Sequence, residues 1–218
     1  MWFLIFLLLL VICCVIFDSL GTNDSKTLDY KKRTNNNSFK KGKIGEDYIC
    51  NVIEKNIDVY HKIVRNVYIE DDNKKTEIDI IFITAFGIYV IESKNYNGYI
   101  YGDENDFKWT QYFNKIKKNY FFNPIKQNNY HIKFLSNRLN RDIKDFKSYI
   151  VFGNKSKLRK ITYDHTNTKI TQTKYLIPYL IDDMHNSGTI FSHEEVDKIY
   201  IDLKYYCEHF NNPYSDNI

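Results

Sequence analysis

Hydrophobic residues follow three patterns along the chain: one unbroken run, short β-branched blocks, and stripes at helical spacing. The unbroken run is residues 2–17, WFLIFLLLLVICCVIF. As a helix it would span ~24 Å against a hydrocarbon core of ~30 Å, a little short unless Leu20 extends it or the bilayer thins. No Lys or Arg precedes the run and no small-x-small cleavage site directly follows it, so a membrane anchor over residues 1–20 is expected, with a cleaved signal as the alternative. The basic residues Lys26, Lys31, Lys32, Arg33, Lys40, Lys41 and Lys43 follow. They would hold everything downstream in the cytoplasm as a single-pass protein.

Residues 21–41 are polar, with an Asn35, Asn36, Asn37 run, and read as a tether. Ile44, Tyr48, Ile49, Val52 and Ile53 then recur at helical spacing, which predicts a helix over 42–55 with those residues inward. A strand is expected over 61–70. Two short apolar blocks, 80–83 and 88–91, flank a turn at Ala85, Phe86 and Gly87 and predict a hairpin buried on both faces. Further strands are expected over 98–102 and 107–113. Asn123 followed by Pro124 marks a helix start, with Ile125, Ile132, Leu135 and Leu139 on one face and Gln127 and His131 sharing another. Residues 149–152 and 157–163 predict two more strands. Ser192 with Glu195 predicts a capping box opening a last helix, with Val196, Ile199, Leu203 and Tyr206 inward. This order implies an α/β fold, a mixed β-sheet flanked by helices.

Composition changes the picture only through charge. Residues 108–160 hold 14 Lys/Arg against 2 Asp/Glu, whereas 1–107 hold 13 against 16 and 161–218 hold 4 against 9. Tyr120, Phe121, Phe122, Tyr130 and Phe134 interleave with those cations, the footprint of a phosphate-binding surface or of a solvated basic face over core aromatics. An excess of Lys, Asn, Ile and Tyr fits an AT-rich coding bias, so the 19 Tyr carry no functional weight singly. Four cysteines, two of them within the apolar run, form neither a zinc spacing nor a disulfide framework.

The candidate chemistry sits at the hairpin. Glu92 and Lys94 project from one face of the second strand, about 7 Å apart, and Asp79 on the first strand can stand beside them. Taken alone, such a trio is more often a cross-strand salt bridge. Two carboxylates and an ammonium also suit a hard divalent cation with a phosphate. Glu46 reads by itself as an acid at a helix N-terminus.

Together the segments resemble a known family. KGKIGE at 41–46, TEID at 76–79, GIYVIESKN at 87–95, GYIYG at 98–102, WTQ at 109–111 and NPIKQ at 123–127 resemble the nuclease-related domain, NERD, over about residues 42–155. The resemblance implies a restriction endonuclease-like fold of the PD-(D/E)xK superfamily. It would make Asp79 and Glu92 the ligands of Mg²⁺, for which Mn²⁺ substitutes, with Glu46 an auxiliary acid. Lys94 would be the catalytic lysine and Gln127 a polar site residue. The proline of the superfamily name is absent, since Ile78 precedes Asp79. His131 lies outside these motifs and is expected to be a packed or surface histidine.

The activity so implied is hydrolysis of DNA phosphodiesters, with DNA along 108–160 and the bilayer at 2–17. A tethered nucleic-acid-binding module without turnover, and a domain lying on anionic lipid, are the alternatives. Residues 156–218 carry no recognised motif and are set apart as an extension.

Overall fold

The structure, a computed structural model, describes residues 40–71, 74–114 and 116–210. The expected anchor at 2–17 and nearly all of the tether lie outside them. Among the described residues no helix is long and apolar enough to cross a membrane. The chain divides into the units Met1–Lys43 and Ile44–Ile218, and every described strand belongs to the second.

Nine described strands form two mixed sheets. The first sheet has the order β1 (His61–Asp71), β2 (Lys74–Thr84), β3 (Gly87–Lys94), β7 (Phe146–Phe152), β9 (Thr168–Gln172). Its β1, β2 and β3 are antiparallel, while β3, β7 and β9 run parallel. The second has the order β6 (Lys118–Phe122), β5 (Lys108–Tyr112), β4 (Gly98–Asp103), β8 (Ser156–Thr162). Helix α1 covers 40–56, and α2 (Pro124–Leu139), α3 (Leu176–Asn186) and α4 (His193–Phe210) come after it.

The first sheet is covered on both faces. Ile81, Ile83, Ile88 and Val90 pack with Ile132 and Leu135 of α2 and with Val196, Ile199 and Leu203 of α4. On the other face Ile80, Phe82, Tyr89 and Ile91 pack with Ile49 and Ile53 of α1 and with Leu176 and Leu180 of α3. Residues 80–83 and 88–91 are accordingly 0% exposed, which is why those blocks lack the polar alternation of a half-solvated strand. Each such side chain contributes ~1.5–3 kcal/mol relative to standing in water.

The expected hairpin, the Asn123 cap and the Ser192/Glu195 capping box are all present. The Asn123 side chain accepts from the amides of Ile125 and Lys126. The Ser192 amide donates to Glu195 Oε2 at 3.0 Å and the Glu195 amide to Ser192 Oγ at 3.2 Å. Three elements went unanticipated: β6, β9 and α3. Residues 156–210 supply two strands, one in each sheet, and two helices of the unit Ile44–Ile218.

Helix α1 corrects one expectation. Ile44 and Tyr48 are 56% and 51% exposed, and the inward stripe is instead Ile49, Cys50, Ile53 and Ile57. Extended back by one turn, that stripe meets Glu46 rather than Ile44. The carboxylate therefore lies on the packing face, with its side chain 13% exposed.

Candidate active site

β1, β2 and β3 stop behaving as a regular sheet at one place. The β2–β3 pairing runs from Thr84↔Gly87 to Ile80↔Ile91 and ends there, although β3 stays paired to β7 as far as Lys94↔Phe152. Beyond Ile91 the two strands fork. On β1, Asn66 adopts φ 53°, a left-handed conformation that Asn tolerates better than its β-branched neighbours. Val64 and Val67, three apart, consequently share one core face, as do Ile78 and Ile81 on β2. The pleat is broken at Asn66 and at the residue that faces it in register, Asp79.

Asp79 uses that break. Its Oδ2 accepts the Ser93 amide at 2.7 Å, so a carboxylate stands where a ladder carbonyl would otherwise be. The residue as a whole is half-buried. Burial and the neighbouring Glu92 raise its carboxyl well above the ordinary range, against the pull of Lys94 and the Ser93 amide.

Glu92 and Lys94, two apart on β3, point the same way and form a salt bridge. Their side chains are 1% and 14% exposed, so this is a buried pair. Burial raises the Glu92 carboxyl, opposed by Lys94. For Lys94, burial favours the neutral amine but is outweighed by Glu92 and Asp79, so it holds its proton more firmly than usual. Lys94 is fixed from behind as well, since its carbonyl accepts the Gly153 amide at 3.0 Å. A Cβ on Gly45 would stand 2.7 Å from the Asn95 Cβ, so this glycine lets α1 close on the residue after Lys94.

The remaining expected residues arrive from two helices. Gln127 of α2 accepts from Lys94 Nζ at 3.2 Å. Glu46 of α1 accepts from Asn66 Nδ2 at 3.2 Å, and the same amide donates to Glu77 at 2.6 Å. Burial raises the Glu46 carboxyl, and its charge in turn raises Asp79 and Glu92. Thus Glu92, Lys94 and Gln127 are in direct contact, Asp79 joins through Ser93, and Glu46, hydrogen-bonded to Asn66, reaches Asp79 and Glu92 through its field.

His131, expected to be packed or on the surface, is packed at 0% exposure, but its surroundings are ionic. Its Nδ1 lies 3.6 Å from Glu92 Oε2 and its Nε2 3.1 Å from Thr76 Oγ1. Both Nδ1 and Glu92 Oε2 lack a hydrogen-bond partner. Burial, helped by Lys94, pulls the imidazole down to about 4 and keeps it neutral. Asn66 and His131 were the residues missed. An Asn inside a run of Val, Ile and Tyr is a visible sign of a disrupted strand. His131 is four residues, one helical turn, from Gln127.

Among the described residues no three of His, Cys, Asp and Glu are arranged to hold a metal by themselves. The donors present are nevertheless hard oxygens, one of them the orphaned Glu92 Oε2. Such a set suits Mg²⁺, which binds through one or two carboxylates and keeps its remaining positions for water and phosphate.

An uncharacterized protein of Bacillus anthracis is 36% identical over 94 residues, 43% of this chain and 44% of that protein, so the match spans less than half of the relative. Can2 from Sulfobacillus thermosulfidooxidans, solved in complex with cyclic tetra-adenylate, is 18% identical over 66% of this chain and 36% of its own, with a TM-score of 0.37. A crystal structure of a protein of unknown function is 11% identical over 73% of this chain and 95% of its own, with a TM-score of 0.30. The nuclease-related domain, NERD, matches residues 41–153, more than half of the chain and a stretch that includes Glu46, Asp79, Glu92, Lys94, Gln127 and His131; the chain belongs to that family.

Proposed function

We propose that this protein is a metal-dependent nuclease that hydrolyses DNA phosphodiester bonds, held at a membrane by residues 2–17 with its folded part in the cytoplasm. The observation that carries the reading is the buried Glu92–Lys94 pair beside Asp79 at the strand fork, a costly arrangement that packing does not require. Asp79 and Glu92, with Glu46 behind them, would hold Mg²⁺, or Mn²⁺ in its place. Bound there, the cation would neutralise charge growing on the phosphate oxygens.

The chain's own groups do the rest. Lys94, kept protonated by its two acidic neighbours, presents a fixed positive charge and a donor to the phosphate or to an attacking water. Gln127 accepts from the Lys94 ammonium and limits where it can swing. His131, neutral and packed 3.6 Å from Glu92 Oε2, limits where that carboxylate can turn. The basic 108–160 segment supplies the counter-charge for the DNA backbone.

The test is cleavage of plasmid, linear and single-stranded DNA by the full chain with Mg²⁺ or Mn²⁺, beside Asp79→Asn. Loss of cleavage in EDTA and in the variant is expected. Equal cleavage in either would overturn the reading. The arrangement of donors, with no three among the described residues ready to hold a metal, favours one second reading: a nucleic-acid-binding module without turnover. It would show in the same assay as DNA binding with no product under any metal.

A further inference from the structure

Among the described residues the second sheet packs a hydrophobic cluster on one side. Ile100, Trp109 and Phe121 face inward onto Ile125, Ile150 and Phe152. By alternation the opposite side presents Tyr99 and Tyr101 from β4, Lys108 and Tyr112 from β5, Lys118, Tyr120 and Phe122 from β6, and Lys157 and Arg159 from β8. Tyr101, Tyr120 and Phe122 are 37%, 54% and 41% exposed.

The rings and cations on this side are matched to one another. Lys157 and Arg159 lie 5.3 and 5.2 Å from the centre of the same Tyr99 ring, and Lys118 lies 5.2 Å from that of Tyr120. Tyr101 and Tyr112 meet edge to face at 5.5 Å. Some cations elsewhere have acids beside them, Lys62 with Asp197 at 3.2 Å, Arg141 with Glu195 at 3.0 Å and Lys144 with Asp142 at 3.3 Å, while the exposed Lys126, Lys133 and Lys174 have none among the described residues. Among the described residues Lys108, Lys118, Lys157 and Arg159 have none. Two acids, Asp103 and Asp106, lie at one end of this side, and Asp103 is occupied by the amide and side chain of Asn105.

We propose that this open sheet face is a stacking platform for single-stranded nucleic acid, with Tyr101, Tyr120 and Phe122 taking unpaired bases and Lys118, Lys157 and Arg159 the phosphates between them. A polyanion answers the unneutralised cations, and exposed rings add affinity only where base faces are free, which a duplex denies them. Strand β4, which carries part of the platform, follows the fork closely in the chain: Tyr99 is five positions after Lys94, at most about 18 Å of chain. The proposal deepens the nuclease reading by naming the substrate as single-stranded. It rests on that reading for the nucleic acid but not for turnover.

The experiment is fluorescence anisotropy of the full chain in EDTA with labelled oligo-dT, its RNA counterpart and a duplex of equal length. Tyr101→Ala and Tyr120→Leu are each expected to weaken single-strand binding about tenfold and duplex binding by no more than about twofold. Tyr120→Phe, which keeps the ring, retains single-strand affinity. Unchanged single-strand affinity in both ring-deleting variants, an equal loss on the duplex, or loss of anionic-vesicle binding in place of strand binding would overturn the platform. Since EDTA removes cleavage from the measurement, an inactive protein with these binding differences refutes the nuclease reading alone. An active one without them refutes the platform alone.

Discussion

In the five-stranded sheet Glu92 and Lys94 sit at 1% and 14% side-chain exposure and hold one another, whereas in the four-stranded sheet Lys108, Lys118, Lys157 and Arg159 stand without an acid among the described residues. The first arrangement takes charge out of water in a region otherwise closed on both faces, so each member depends on the other. The second leaves charge hydrated and gains little from any single residue. On the proposed reading, charge that is expensive to bury stands at the reacting site, and inexpensive charge is spread along the path of a long anion. The two sheets should therefore answer mutation differently, the first in stability and turnover together, the second in binding alone.

The sharpest way to break this contrast is Lys94→Met. Removing the ammonium while keeping most of its volume leaves Glu92 buried and unpaired, and about 3–5 kcal/mol of stability should be lost along with cleavage. Pairing it with Glu92→Gln removes the orphaned charge, so the double variant should recover most of that stability in urea denaturation while staying inactive. Lys157→Met in the other sheet should move stability by less than about 0.5 kcal/mol. Equal losses from the two lysine variants would erase the distinction.

A somewhat smaller effect is expected from pH. His131 binds its proton at about 4 in the folded state against an ordinary 6.5, so the unfolded chain takes it up first as pH falls. Folding stability contributed through this group is therefore intact above about pH 6.5 and declines as pH drops toward 4, by roughly 3 kcal/mol in all. Asp79 and Glu92, with raised carboxyls, push the other way, since the folded state holds their protons more firmly than the unfolded chain. The difference between wild type and His131→Gln isolates the histidine. Identical acid-side slopes in the two proteins would show that the imidazole is not held neutral.

Much of this was legible in the sequence, and the reasons are specific. The doubly buried hairpin announced itself because residues 80–83 and 88–91 have no polar position, and Glu92 and Lys94 stood out as the first polar residues to share a face after it. Glu46 was misplaced relative to its stripe because Ile44 and Tyr48 carry the stronger apolar signal, although packing selects Ile49, Cys50, Ile53 and Ile57. The fork at Asp79 was not legible at all. It depends on one left-handed residue, Asn66, on a different strand. The open sheet face was hidden for another reason: its tyrosines come from three separate strands, and only the register of β4, β5 and β6 brings them onto one side. Strand β9 is short and alternates Thr with Lys and Gln, so it carried too little hydrophobic signal to be read.

Asp79→Asn sharpens the comparison in the opposite direction to Lys94→Met. The amide oxygen can still accept the Ser93 amide, but the charge that burial and Glu92 both disfavour is gone. The variant should be more stable than wild type by about 1 kcal/mol in the absence of divalent cations, and inactive, the signature of a residue kept for function at the expense of the fold. Thermal melts in EDTA beside a cleavage assay measure both. A less stable variant would mean that the ionised carboxylate is part of what holds the fork together.

The smallest expected effect belongs to single cations of the open sheet. Lys118 stands exposed over the Tyr120 ring, so Lys118→Ala should leave the midpoint of urea denaturation where it is in wild type. Its consequence should appear in how binding of a single strand depends on salt. If Lys118 neutralises one phosphate, the slope of log affinity against log salt becomes shallower by about 0.7, and the loss is uniform across base sequences. The same substitution at Lys62, which already has Asp197 beside it, should leave the slope unchanged, because a cation neutralised within the protein releases no counterion from the strand. Equal slopes for wild type and both variants would place the nucleic acid elsewhere on the molecule and return the four-stranded sheet to a purely structural role.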